Sequence, residues 1–129
     1  MPKSVHMICK CTGEGYRGYR GLFEEGGGRF RSEAWRMDQS TANALKGGWA
    51  YFHEGTNELS TSIWQIVDNR VRADGRMMLI LKERDELKKY RWPWRGPKAN
   101  HWDEESWYSV VDNPAHPHEK AATSVTALL

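Results

Sequence analysis

The chain has little cysteine and no long hydrophobic run, and each shortage closes off a class of protein. Its 129 residues hold two cysteines, Cys9 and Cys11, one residue apart. A bridge between such near neighbours is strained, so a disulfide framework is not expected. Two reduced thiols on one inward face of a first strand is the simpler reading. A zinc site needs further ligands, and the usual Cys-x-x-Cys spacing is absent. No apolar stretch approaches the roughly 20 residues that cross a bilayer. Lys3, His6 and Lys10 interrupt the apolar run at Val5–Cys11 that a secretory leader would need. Phosphate-binding glycine motifs, Gly-x-Ser-x-Gly and His-Glu-x-x-His are also missing. The expectation is a cytoplasmic protein with no membrane partner, no cofactor and no metal.

What the chain has in quantity is aromatic surface. Seven Trp, five Tyr and three Phe stand in a sequence only 39% apolar. Each large ring buries on the order of 150–250 Å², so a few of them can anchor a small barrel or sandwich. The length suits a single domain able to fold without staples.

The centre of the pattern is Gly47–Asp68. Trp49-Ala50-Tyr51-Phe52 and Ile63-Trp64-Gln65-Ile66-Val67 are rich in β-branched and aromatic residues, and both read as strands. The link Glu54–Ser62 is too long for a tight turn and is expected to be an open loop. Before it, Met37–Gly48 carries the punctuation of one short helix: Asp38 or Ser40 to cap it, Ala42, Ala44 and Leu45 within it, and Gly47 to end it. Val5–Cys11 forms a first strand with Val5, Met7, Cys9 and Cys11 inward and His6 on the other face. Leu22–Arg31 is a short hairpin or an excursion around Gly26-Gly27-Gly28. Ala73-Asp74-Gly75 turns the chain into a third core strand, Arg76–Lys82, antiparallel to the second. Glu83–Tyr90 has room for a helical turn or two, and Trp92–Pro97 is irregular because its prolines remove donors and fix φ. Trp107–Val111 is a last strand. Residues 1–112 therefore form one α+β domain, a mainly antiparallel curled sheet or small pseudo-barrel, and residues 113–129 a loose tail.

Charge is uneven. The net value is +2, yet residues 70–98 carry ten Lys/Arg against four Asp/Glu, a balance of +6, between acidic neighbours. That is one positive surface or a solvated strand face. Two loops mix aromatic and basic residues: Tyr16, Arg17, Tyr19 and Arg20 among four glycines, and Arg91, Trp92, Trp94, Arg95 and Lys98. Rings stack on bases and cations neutralise phosphates, with each stacked base contributing about 1–3 kcal/mol. The glycines would let backbone approach a phosphate. The alternative is that the tryptophans only cover the core.

Acid–base chemistry has three weak candidates: His53 and Glu54 at the end of the first central strand, and His101 in the acidic segment His101–Glu105. Neighbours on a strand point to opposite faces, so His53 and Glu54 need not cooperate. His116 and His118 have metal-like spacing in the tail and read as adventitious.

Leu45–His53 followed by Ile63–Val67 resembles the PUA-like superfamily, in its ASCH and EVE branches. There a helix, a turn and an aromatic-ended strand precede a loop and a second strand. Gly47-Gly48 stands where that pattern commonly has Gly-Asp, and Ser62 where it has glycine. The resemblance implies a pseudo-barrel with peripheral helices that binds RNA or reads a modified base in an aromatic pocket. It makes Trp35, Trp49, Tyr51, His53 and Trp64 candidates for that pocket or its wall, with Trp49 assigned rather to the core. Some ASCH-type domains hydrolyse modified nucleosides with a Lys and a carboxylate, but no matching pair aligns here. The expected function is a non-enzymatic nucleic-acid-binding module for RNA or modified DNA. The alternatives are a small hydrolase using His53, Glu54 or His101, and a phage or mobile-element factor that docks on a protein partner through its Trp-rich loops.

Overall fold

Every strand expected from the sequence is present in the computed structural model, which describes residues 2–97 and 107–112. The elements are β1 (Ser4–Ile8), β2 (Leu22–Gly26), β3 (Arg29–Trp35), α1 (Gln39–Leu45), β4 (Trp49–His53), β5 (Ser62–Val71), β6 (Met77–Lys82) and β7 (Tyr108–Val111). Single 3-10 turns occur at Tyr16–Gly18 and Asp85–Leu87. They form one mixed sheet in the order β2-β3-β6-β5-β4-β1-β7, in which β1 and β4 run parallel and every other pair antiparallel.

The helix forms as its punctuation dictates. The Asp38 carboxylate accepts from Thr41 N–H at 2.7 Å and from the Ser40 hydroxyl at 2.9 Å, satisfying donors the first turn leaves open. Gly47 follows the last turn with φ of 91°, a conformation costly for residues with a Cβ. Gly48 is required for another reason. A Cβ there would lie 1.8 Å from the Lys3 carbonyl oxygen, so β1 and the helix exit could not approach. Gly47 N–H then donates to Ile66 C=O at 2.8 Å and Ile66 N–H to Gly48 C=O at 2.9 Å, which ties the helix exit to β5.

The main core lies on one face of the sheet. It gathers Val5 and Met7 from β1, Phe30 from β3, Phe52 from β4, Trp64 and Ile66 from β5, Leu79 and Leu81 from β6, and Ala42 and Leu45 from α1. Register irregularities in β2, β3 and β5 bend the strands toward it. The curl brings Trp35 edge-on to Tyr108 at 6.3 Å, and the Tyr108 hydroxyl donates to Arg36 C=O at 2.8 Å. Side chains thus bridge the end of β3 to β7, but among the described residues no backbone ladder joins the outer strands. The sheet is open, so of the two forms expected, a curled sheet or a small pseudo-barrel, the described residues form the curled sheet. Bulges and a single parallel pair, neither legible in an alternation pattern, decide between the two.

The first strand differs from expectation. It ends at Ile8, and of the two thiols only Cys9 is buried. Cys11 is exposed beyond the strand, with its thiol facing Arg17 C=O at 3.6 Å. Burial, above all, pushes the Cys9 thiol above its ordinary range. β2 and β3 exceed the short hairpin expected, with β3 running on to Trp35 and pairing with β6.

Candidate functional site

Alternation along β4 divides its residues between the two faces. Ala50 and Phe52 enter the main core, whereas Trp49, Tyr51 and His53 point to the opposite face. There Trp49 and Tyr51 meet Ile63, Leu87 and Trp92, and all of them are buried. His6 of β1, opposite Tyr51 in the parallel ladder, stacks on the Tyr51 ring with centroids 4.4 Å apart and an 11° interplanar angle. His6 Nδ1 lies 2.8 Å from His53 Nε2, and His53 Nδ1 lies 2.9 Å from Glu58 C=O. Both imidazoles have no exposed surface.

The segment 87–97 closes this patch. Ser60 N–H donates to Trp92 C=O at 2.8 Å, and Trp92 N–H donates to the Ser60 hydroxyl at 3.0 Å. Trp94 sets its edge against His6 and His53 at 5.9 and 5.2 Å, while its own indole N–H donates to Pro97 C=O at 2.9 Å. Arg95 lies over the Trp92 ring at 5.1 Å. Gly96 touches the neighbouring strand so closely that a Cβ would sit 1.9 Å from the Ser109 hydroxyl oxygen.

These contacts relocate most of the residues that sequence reasoning selected. Tyr51 is sealed under the cover, Trp92 is buried within it, and Trp64 lies in the main core between Phe30 and Phe52. None of the three lines an open pocket. His53 has both ring nitrogens engaged, and burial holds its pKa below the ordinary histidine value, opposed in part by the bond to Glu58 C=O. It is therefore not presented as a surface general base. Glu54 is turned elsewhere and accepts from Cys11 N–H at 2.7 Å, so the two do not cooperate. Lys98, His101, His116 and His118 lie outside the described residues. Among the described residues no group of His, Cys, Asp and Glu is arranged to hold a metal ion.

The glycine–tyrosine loop is likewise inward-turned. Tyr16 packs on Phe30 at 4.3 Å, and Tyr19 is buried edge-on to Phe52 with its hydroxyl donating to Thr61 at 3.0 Å. A Cβ on Gly15 would fall 1.9 Å from Tyr19 C=O, so that glycine serves close packing within the loop rather than approach to a phosphate. Arg17 is the one non-glycine residue with positive φ, 55°, among the described residues, and it pairs with Glu83 at 2.9 Å.

Ion pairs also temper the basic stretch. Arg70 and Arg31 share Glu25 at 2.8 and 3.1 Å, and their bonds, led by that of Arg70, hold its carboxyl below the usual range. Arg72 pairs with Asp74 at 2.6 Å, Lys88 with Asp85 at 3.0 Å, and Arg84 with Glu86. Exposed pairs of this kind contribute only about 0–1 kcal/mol to stability. Their effect is to weaken the positive field that composition suggested. Arg91 turns back to donate to Lys88 and Tyr90 carbonyls, both at 2.9 Å.

Aromatic and basic groups do converge at the open end of the sheet. A cleft of about 570 Å³ lies where β1 leaves the sheet, β3 ends and β7 begins. Lys10, Arg20, Arg36 and Arg76 line it, together with Trp35, Trp107, Glu33 and Glu54. Trp35 is only 8% exposed, with its indole N–H donated to Ser32 at 3.0 Å, so it forms wall. Trp107 is half-buried and offers more surface. A second hollow of about 610 Å³ shares Arg36 and Arg76 with it. Of the cleft's residues, Arg20, Trp35 and Glu54 were candidates from the sequence. Lys10, Arg36, Arg76 and Trp107 were not, because they lie far apart in the chain and only the curl joins them.

Comparison with protein-family models, with curated proteins and with solved structures finds no match to this chain. No helix among the described residues is long and apolar enough to cross a membrane.

Proposed function

We propose that this domain binds nucleic acid without catalysis, and that its contact surface is the cleft at the open end of the curled sheet. The observation that carries this reading is the convergence of Lys10, Arg20, Arg36 and Arg76 with Trp107 in one concave surface. Cations there would neutralise phosphates, and the Trp107 ring would take a base by stacking. A groove of this kind suits a single strand of RNA or DNA, whose bases are free to stack. A modified base read between Tyr51, His53 and Trp64 is not part of the proposal, since those rings are enclosed.

Kinship with PUA-like domains belongs to the same proposal. Its support is the order helix, Gly47-Gly48, aromatic strand, loop and strand over Gln39–Val71. The open sheet edge and the parallel β1–β4 pair are features that such a kinship must accommodate.

The test is fluorescence titration of labelled single-stranded and duplex RNA and DNA at two salt concentrations. Affinity is expected to favour single strands and to fall steeply as salt rises, because bound phosphates release counterions. Absence of binding to every probe at low salt would sink the proposal.

A further inference from the structure

The buried His6–His53 pair has an arrangement of protons that its neighbours dictate. The Glu58 carbonyl can only accept, so His53 carries its proton on Nδ1 and leaves Nε2 bare. The contact of that bare Nε2 with His6 Nδ1 then requires a proton on His6 Nδ1. A neutral His6 is left with an unprotonated Nε2, which is buried and has no hydrogen-bond partner among the described residues. Any additional proton taken up without breaking the chain must go to that nitrogen.

The surroundings oppose such a proton. Tyr51 and His53 face His6 from β4, Trp94 and Arg95 face it from the cover, and Ser109 stands beside it in the β7 register. The charges that His6 feels are those of His53 and Arg95, both unfavourable to a cation, and no carboxylate among the described residues offsets them.

The cover that seals the pair is held by side-chain packing and loop hydrogen bonds, whereas the strands beneath it are held by ladders. Residues 87–97 belong to no ladder. They are fixed by Leu87, by the Ser60–Trp92 bonds, by Trp94 and by the Gly96–Ser109 contact. β4, in contrast, is hydrogen-bonded to β1 on one side and β5 on the other.

We propose that residues 87–97 form an acid-released latch: protons taken up by the His6–His53 pair favour an open form in which the cover leaves the sheet and exposes Trp49, Tyr51 and both imidazoles. The sign follows from linkage. In the closed form burial first, then His53 and Arg95, lower the His6 pKa to about 3, and burial lowers that of His53. In the open form both regain values near 6.5. Closure is therefore fully favoured above about pH 6.5 and loses ground as pH falls, by up to roughly tenfold per pH unit for His6 down to about pH 3, with His53 adding in the same direction. Release therefore begins well above the closed-form pKa of His6.

Hydrogen exchange of the full chain, read by mass spectrometry at about pH 7.5 and about pH 5 and corrected for intrinsic exchange, tests the latch. Protection over 87–97 is expected to drop at least tenfold at the lower pH while β5 and β6 keep theirs. His6→Phe retains a ring on Tyr51 but cannot titrate, and it is expected to shrink the drop to the share that His53 supplies. Should that variant fail to fold, the wild-type imidazole resonances followed by NMR serve instead, with His6 and His53 expected to titrate together with the opening. Unchanged protection at the lower pH, equal loss across all strands, an undiminished drop in His6→Phe, or histidines that titrate apart from the opening would each overturn the proposal.

Discussion

Two regions combine aromatic rings with cations, and the fold treats them oppositely. The patch at residues 87–97 seals Tyr51, Trp92 and two histidines, with Trp94 half-buried and Arg95 exposed in the cover itself. The cleft at the sheet end gathers Trp107 with Lys10, Arg20, Arg36 and Arg76 and leaves them facing a hollow. Composition alone favours the first, since Trp92, Trp94 and Arg95 stand close together in the chain. Access favours the second. A binding surface depends on which rings remain after the core has taken its share, and here the core takes Tyr19 and Trp92 outright and leaves Tyr16 and Trp94 half-buried.

Substitutions can break this contrast at several strengths. Trp64→Ala should have the largest effect. The ring is fully buried between Phe30 and Phe52, and its loss removes packing shared by three strands, at about 3–5 kcal/mol. Chemical denaturation should show this as a lower midpoint with a two-state transition. Gly96→Ala should be felt only at the cover. A Cβ there meets Ser109, and Gly96 has φ of 116°, so about 1–3 kcal/mol of closure should be lost. Exchange should rise over 87–97 and stay unchanged in β6; a rise in both would mean that the patch and the main core are one unit. Asp38→Ala removes the helix cap and should lower the melting temperature modestly, with binding unaltered. Lys88→Ala, at an exposed ion pair beside the cover, should be close to silent in a melting curve.

Much of the scaffold was legible because its signals are local. Asp38 and Gly47 bound the helix, Asp74-Gly75 marks a turn with Gly75 at φ of 85°, and the aromatic runs at Trp49 and Ile63 are strands. The site was less legible because its determinants are not local. His6 meets His53 only through a parallel pairing of strands 47 residues apart, which no alternation pattern announces. Trp107 and Lys10 share a cleft only because bulged strands curl β3 toward β7. Arg17 and Arg70 read as free cations until their partners Glu83 and Glu25 are folded against them.

The claim that the open cleft, and not the sealed patch, meets nucleic acid is tested most directly by paired charge reversals. Lys10→Glu with Arg20→Glu alters the cleft, and Lys88→Glu with Lys89→Glu alters the exposed rim of the cover. Single-stranded RNA and DNA would be titrated against both variants over a range of salt. The first pair is expected to weaken binding at least tenfold and to lower the salt slope by about 1 for each phosphate no longer neutralised, while the second leaves the slope near wild type. Equal weakening by both pairs, or weakening by the second pair alone, would contradict the claim.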